Sequence, residues 1–173
     1  MSALLRFCVE VLRSGTIQDL GLDAQPDAWE AKLGQDYVDD VRRGRMRRDF
    51  GLVELSFLKM GESWNCIELS IQIQRLAMAE VDTVPNFLIE KFGKFESRIK
   101  FDDLQEQLAT EGIRLDRIGD RTQDPHARFS VAKSGAIVHV LTVEPEGVGR
   151  PRIGDVWSIS VARDFPRRSA PIS

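Results

Sequence analysis

The segment Ile67–Gln74 constrains the fold more than any other part of the sequence. It alternates four aliphatic residues with four polar residues without exception. Successive side chains of a strand point to opposite faces of a sheet, so this pattern predicts a strand with one buried face and one solvated face. A second alternating run lies within residues 48–58. Because Lys59–Trp64 joins the two runs, we expect adjacent antiparallel strands.

Four segments have the spacing and the boundary residues of amphipathic helices. In Leu4–Leu12 apolar residues recur every three or four positions, and Gly15 follows as a stop signal. In Asp23–Gly34 an early proline, early acidic residues and a final glycine mark a short helix. Pro85–Gly93 has similar boundaries. Phe101–Gly112 is the clearest of the four, because two aspartates near its start suit the helix macrodipole.

Three further strands are predicted in the second half of the chain, at 128–132, 136–143 and 156–161. Short turns rich in glycine, proline and polar residues separate them. Taken together, these elements predict an α+β fold in which short helices pack on antiparallel sheet.

The order of helix followed by strands occurs twice along the chain. Residues 16–76 and 97–162 could therefore form two tandem halves, either fused to each other or within one continuous sheet. We expect a single α+β domain over residues 1–165. Residues 166–173 contain proline and arginine but no periodic apolar pattern, and we predict a flexible tail there.

Composition and charge limit the partners that the protein can have. The chain has 173 residues, with 24 Lys+Arg against 27 Asp+Glu and a formal net charge of -3. An acidic chain gains little from the field of a nucleic acid or an anionic membrane, so neither is expected as a partner. No apolar stretch approaches the roughly 18 residues that a membrane helix requires. Arg6 and Glu10 would interrupt the apolar core of a signal peptide, and we expect a cytoplasmic protein.

Few residues could perform acid–base or nucleophilic catalysis. The two histidines belong to no metal-binding or catalytic motif: we expect His139 in the core or on a sheet face, and His126 exposed in a turn. Cys8 and Cys66 form no CxxC pair, so two reduced and buried thiols are expected. Motifs for a nucleophile elbow or a phosphate loop are absent. We predict no enzyme activity, no cofactor and no metal.

The charge pattern before residue 48 is the most unusual local feature. Acidic residues dominate up to Asp40, and five arginines then occur within residues 42–48. This pattern is typical either of an edge strand protected by charge or of a surface that steers a charged partner. The residues that we predict to bind a partner are Asp23, Asp27, Asp36, Tyr37, Asp39 and Asp40. Trp29 could be an aromatic anchor, but its spacing of four from Leu33 favours a place in the core.

The stretch Arg47–Phe57, together with Trp64 and Ile71–Leu76, resembles small cytosolic actinomycete proteins that accompany secreted polymorphic toxins as immunity proteins. The similarity covers most of residues 16–76 and, more loosely, the strand Gly154–Ser160. It implies a protein that neutralises a cognate toxin, and it assigns no role to an individual residue. The repeated order of helix and strands also resembles the architecture of the β-lactamase inhibitory protein, although that protein is secreted and disulfide-bonded, features that we do not expect here.

These observations predict a non-catalytic cytoplasmic binding protein of immunity type, which would inhibit a toxin by occluding its surface. An inhibitor of this kind needs a rigid surface with complementary charge and no reactive groups. Two alternatives stay open: a structural or regulatory protein-interaction module, and an enzyme or small-molecule binder whose site the sequence does not show.

Overall fold

The computed structural model describes residues 1–78, 83–119, 124–147 and 151–163. In these residues the strands form a single antiparallel sheet of eight strands, in the spatial order β1-β2-β3-β4-β8-β7-β6-β5. The strands are β1 (Val38–Arg42), β2 (Arg45–Asp49), β3 (Val53–Met60), β4 (Ser63–Ile71), β5 (Asp116–Arg117), β6 (His126–Ser130), β7 (Ile137–Leu141) and β8 (Val156–Ala162).

Helices accompany the sheet in both halves of the chain. They are α1 (Ala3–Ser14), α2 (Pro26–Leu33), α3 (Gln74–Met78), α4 (Asn86–Phe92) and α5 (Phe101–Thr110). None of the helices among the described residues combines the length and the apolar character that crossing a bilayer requires. Helices on an antiparallel sheet confirm the predicted α+β fold.

The two sets of strands meet in the middle of the sheet. The fourth strand of each half, β4 and β8, pair antiparallel, with Ile71 opposite Ile159. Of the two arrangements expected from the sequence, the structure has the continuous sheet. Each half places its helices before a run of four strands, and an origin of the halves as a repeat stays a prediction. The predicted tail, 166–173, lies outside the described residues.

The core lies between the helices and the sheet. The fully buried residues Leu4 and Leu12 of α1 belong to the same apolar cluster as Leu104 and Leu108 of α5. The two leucines are eight residues apart in α1 and four apart in α5, so in each helix they lie on the same face, as the sequence predicts. The sheet contributes alternate residues of its strands, namely Leu55, Phe57, Leu69, Ile71, Val138, Ile159 and Val161.

The boundaries of four predicted strands are wrong. The strands predicted at 128–132 and 136–143 are His126–Ser130 and Ile137–Leu141, and two strands in the first half differ more. Residues 48–58 form parts of two strands, because Gly51 has a φ of 87° and the amide of Phe50 donates to the carbonyl of Val53 at 2.8 Å, which reverses the chain. The run over 67–74 begins earlier, at Ser63, and ends at Ile71. A bulge leaves Ile67 without a direct partner on β3, so this aliphatic residue is only half-buried.

Candidate protein-binding surface

The hairpin of β1 and β2 contains the five arginines of residues 42–48 and two of the predicted partner-binding residues, Asp39 and Asp40. Its turn consists of Arg43 and Gly44, whose φ angles are 48° and 76°. Two consecutive residues with positive φ are typical of a two-residue hairpin turn of type I′. This turn sets a register in which Asp39 lies opposite Arg48 and Asp40 lies opposite Arg47. The change of sign along the sequence therefore becomes charge pairing across the hairpin.

Arg48 is the centre of a polar cluster, and only 7% of its surface is exposed. Its Nε and Nη2 donate to the two carboxylate oxygens of Asp39 at 2.9 and 2.8 Å. Its Nη1 donates to the carbonyl oxygen of Pro26 at 3.2 Å. The guanidinium carbon lies 3.9 Å from the centroid of the Tyr37 ring, and the Tyr37 hydroxyl donates to Glu30 at 2.7 Å. We call these five residues the Arg48 cluster, and their contacts connect α2 with β1 and β2.

The hydrogen bonds of the Arg48 cluster fix its protonation states. The bonds to Asp39 raise the pKa of Arg48. The bond from the Tyr37 hydroxyl lowers the pKa of Glu30, and the same bond raises the pKa of Tyr37. Near neutral pH the cluster therefore contains a cationic Arg48, an anionic Glu30 and a neutral Tyr37.

A recess of about 390 Å³ opens beside the Arg48 cluster, between the start of α2, strand β2 and the turn that joins β3 to β4. We call it the acidic groove, and its lining residues are Gln25, Pro26, Asp27, Met46, Arg48, Glu62, Ser63 and Trp64. Asp27 and Glu62 are exposed, and neither pairs with a cation among the described residues. Met46 and Trp64 supply apolar surface between them. The ammonium of Lys59 lies 5.9 Å from the centroid of the Trp64 ring.

The groove has the composition of a site for a cationic side chain. Arg48, its buried cation, is already neutralised by Asp39. The two exposed carboxylates then outnumber the one other cation that the described residues place beside the groove, Lys59, so the groove stays negative. An indole face attracts Lys or Arg, as the position of Lys59 shows, and an apolar floor with charged rims is typical of protein-binding hot spots.

The structure does not bring the six predicted partner-binding residues onto one surface. Tyr37 and Asp39 belong to the Arg48 cluster, and Asp27 lines the acidic groove. Asp40 lies next to Asp39 on β1 and therefore points to the opposite face of the sheet, where it accepts a hydrogen bond from Arg42 Nε at 3.0 Å.

The other two predicted residues lie apart from the hairpin. Asp23, in the loop before α2, is bonded to Arg163 at the end of β8. Asp36 is exposed and lines a separate recess of about 510 Å³ between the end of α2 and the start of α4. A role in partner binding for the six residues stays a prediction.

Of the eight described residues that line the groove only Asp27 is among the predicted binding residues, and the seven others include Met46, Glu62 and Trp64. Trp64 and Glu62 were assigned to the connection between two strands, and Met46 stood among the arginines. The one signal in the sequence is that Trp64 follows the acidic turn residue Glu62 by two positions, and Met46 has no such signal. Their proximity to Asp27 depends on how β2, β3 and β4 pair, which local patterns do not contain.

Trp29 is a core residue, as its spacing of four from Leu33 predicts. None of its surface is exposed, and its indole Nε1 has no hydrogen-bond partner among the described residues. It cannot reach a partner unless α2 leaves the sheet.

Both cysteines are free and buried, which confirms the predicted burial of the two thiols. Burial raises the pKa of Cys66 to about 12 and raises that of Cys8 further. Protonated thiols without access are poor nucleophiles. Among the residues that the structure describes, there is no group of three or more His, Cys, Asp or Glu side chains arranged to hold a metal ion.

The two histidines occupy neighbouring strands. His139 is half-buried on β7, as expected for a sheet position, with its Nε2 3.3 Å from the hydroxyl of Ser160. The expectation that His126 is exposed in a turn is wrong: it is half-buried on β6, with its ring centroid 5.0 Å from that of Trp157. A bulge in β8 displaces Trp157 from regular pairing opposite β7.

Acidification should destabilise the protein through His139. Burial lowers the pKa of His139, the charges of His126 and Arg128 lower it further, and Asp124 opposes them. The unfolded chain therefore takes up the proton first, and stability is lost as the pH falls from the unfolded pKa through the folded one. His139→Asn should lose less Tm than the parent between about pH 7.5 and about pH 5.5. Equal losses in scanning calorimetry would contradict this.

The fold and the groove together describe an α+β protein with a preformed acidic recess beside the β1–β2 end of its sheet. A scan against protein-family models gives no match, and searches of curated proteins and of solved structures give none either. The function must therefore be inferred from the geometry of the groove and from the chemistry of its residues.

Proposed function

We propose that this chain is a non-catalytic binding protein that acts by occupying the surface of another protein, through the acidic groove. The single observation that supports this most is the pairing of two exposed, unpaired carboxylates, Asp27 and Glu62, with the apolar surface of Met46 and Trp64. A partner that inserts a Lys or Arg side chain there gains charge pairing and contact with the indole.

The Arg48 cluster adds rigidity to this surface. Its hydrogen bonds join α2, β1 and β2, so two of the three walls of the groove, the start of α2 and strand β2, are held in place before a partner arrives. A preorganised surface loses less conformational entropy on association, and more of the contact energy appears as affinity. This is a property that a stoichiometric inhibitor requires.

A toxin is the first class of partner to test. The resemblance of Arg47–Phe57 and Trp64 to immunity-type proteins supports it, and both Trp64 and the start of that stretch lie in or beside the groove. Toxins that act on nucleic acids carry cationic clefts, and such a cleft complements two exposed carboxylates. In this proposal the protein acts in the cytoplasm and inhibits the toxin by covering its cleft.

Affinity capture with a matched pair of variants tests the proposal. The groove variant carries Asp27→Lys and Glu62→Lys. The control carries Glu106→Lys and Glu144→Lys, which make the same change in net charge at exposed positions outside the groove. The parent and the control should capture the same protein from a lysate of the organism that encodes the chain.

With that protein purified, the groove variant should bind it at least about tenfold more weakly than the parent, which corresponds to about 1.4 kcal/mol. Equal affinity of the groove variant and the control would contradict the proposed surface. Turnover of a substrate by the purified chain would contradict the proposed non-catalytic function.

A further inference from the structure

Strand β1 is the edge of the sheet as far as the described residues extend. All five of its residues are exposed, and Val38 and Val41 expose 73% and 56% of their surface. Alternate residues of an edge strand direct their N–H and C=O groups away from the sheet, where another strand can pair with them. This edge is short and carries three charges, which limit pairing with other strands, so a strand that adds to it must match those charges.

Charge along this edge is divided between its two ends. Asp36, Asp39 and Asp40 precede Val41, Arg42 and Arg43 follow it, and Arg45 lies across from Arg42 on β2. The hairpin and the Arg48 cluster neutralise part of this charge, since Asp39 bonds to Arg48 and Asp40 to Arg42. Three exposed charges, Asp36 at one end and Arg43 and Arg45 at the other, have no ion-pair partner among the described residues.

Only an antiparallel arrangement of two β1 edges brings the acidic end of one copy beside the basic end of the other. Two antiparallel copies of β1, related by a twofold axis near the middle of the strand, place the acidic end of each copy beside the basic end of the other. A parallel arrangement would place like charges side by side. The central Asp40 lies opposite its own copy, where Arg42 already neutralises it. Val38 and Val41 are three residues apart and lie on opposite faces of the sheet, so each face receives one valine from each copy.

We propose that the protein forms a homodimer by antiparallel pairing of the β1 edges of two copies, which extends the sheet across a twofold axis. The occupant of the edge is a second copy because the edge is complementary in charge to itself. The inference is independent of the acidic groove, which lies between α2 and the β3–β4 turn. A five-residue edge offers a small interface, so we expect a dimer that dissociates in the micromolar range and more readily at high salt.

Sedimentation velocity of the full chain, with two charge variants, tests the dimer. The first variant, Asp36→Lys with Asp40→Lys, makes the edge positive throughout except for Asp39, which is kept because it binds Arg48. The second variant, Arg42→Asp with Arg43→Asp, makes the edge largely negative. Each variant alone should self-associate at least about tenfold more weakly than the parent, because like charges face each other.

An equimolar mixture of the two variants should restore the dimer, because a positive edge then faces a negative one. Recovery in the mixture also shows that both variants are folded. A parent chain that stays monomeric at high micromolar concentration would overturn the proposal. Variants that dimerise as well as the parent would also overturn it, since the interface would then lie elsewhere, and so would a mixture of variants that stays monomeric.

Discussion

Replacement of Arg48 by methionine is expected to lower the free energy of unfolding by about 2 to 3 kcal/mol. Methionine fills part of the space, but it leaves the carboxylates of Asp39 and Glu30 facing each other without the cation. Removing one partner of a buried ion pair costs about 3 to 5 kcal/mol. We expect less here because the side chains of Asp39 and Glu30 are 27% and 30% exposed, so water screens them in part. Urea denaturation followed by circular dichroism measures the difference.

Arg47→Met is the matched control for Arg48→Met. Arg47 neighbours Arg48 on β2, but its side chain is 54% exposed and lies 3.7 Å from Glu54, so the control should change stability by less than about 0.5 kcal/mol. Adding Asp39→Asn to Arg48→Met should recover part of the loss, because it removes the unpaired carboxylate. An Arg48→Met protein as stable as the control would mean that the Arg48 cluster does not hold the hairpin.

Replacement of Trp29 by alanine should destabilise the protein more than Arg48→Met does. The side chain is fully buried, and removing it leaves a cavity under α2. Truncation of a buried tryptophan costs about 3 to 5 kcal/mol. For a domain of this size the loss corresponds to a decrease in Tm on the order of 10 °C. Scanning calorimetry measures it directly.

Trp29→Phe separates packing from hydrogen bonding. Phenylalanine keeps much of the apolar volume, and no hydrogen bond to a described residue is lost with the indole Nε1. This variant should therefore retain most of the stability that alanine removes. If Trp29→Ala kept the parent Tm but abolished capture of the partner, Trp29 would be a binding anchor and the account of the core would be wrong.

Local sequence patterns predict the elements whose burial follows a simple period. The spacing of Leu4 and Leu12 in α1, or of Leu104 and Leu108 in α5, agrees with the buried faces of the structure. In β4 the alternation holds for Leu69 and Ile71, whereas Ile67 is half-buried and Ser70 is buried. Each of these elements buries one apolar stripe, so its pattern can be read without knowing its neighbours.

The β1–β2 hairpin could not be predicted in the same way. Its strands consist mostly of charged residues, and the inward side of β2 carries Met46 and a buried Arg48 in place of two aliphatic residues. The hairpin is stable because Asp39 lies across from Arg48, and that pairing depends on the register set by the turn at Gly44. Tertiary pairing, rather than an apolar period, determines this part of the sheet.

The acidic groove was even less accessible to sequence reasoning. Asp27 was selected for its charge, but Met46 and Trp64 reach it only through the pairing of β2 with β3 and of β3 with β4. The bulges at Ile67 and Trp157 change which side chains share a face, and no residue type in the sequence indicates the positions of the bulges. Such features follow from strand register, which short patterns leave open.

Hydrogen–deuterium exchange of the chain, free and saturated with its purified protein partner, tests the proposed binding surface most directly. Amides around 25–27, 45–48 and 62–64 should exchange more slowly in the complex, because the partner covers the walls of the acidic groove. Amides of β6 and β7 should exchange as in the free protein. Slower exchange confined to β6 and β7, with the groove amides unchanged, would contradict the account.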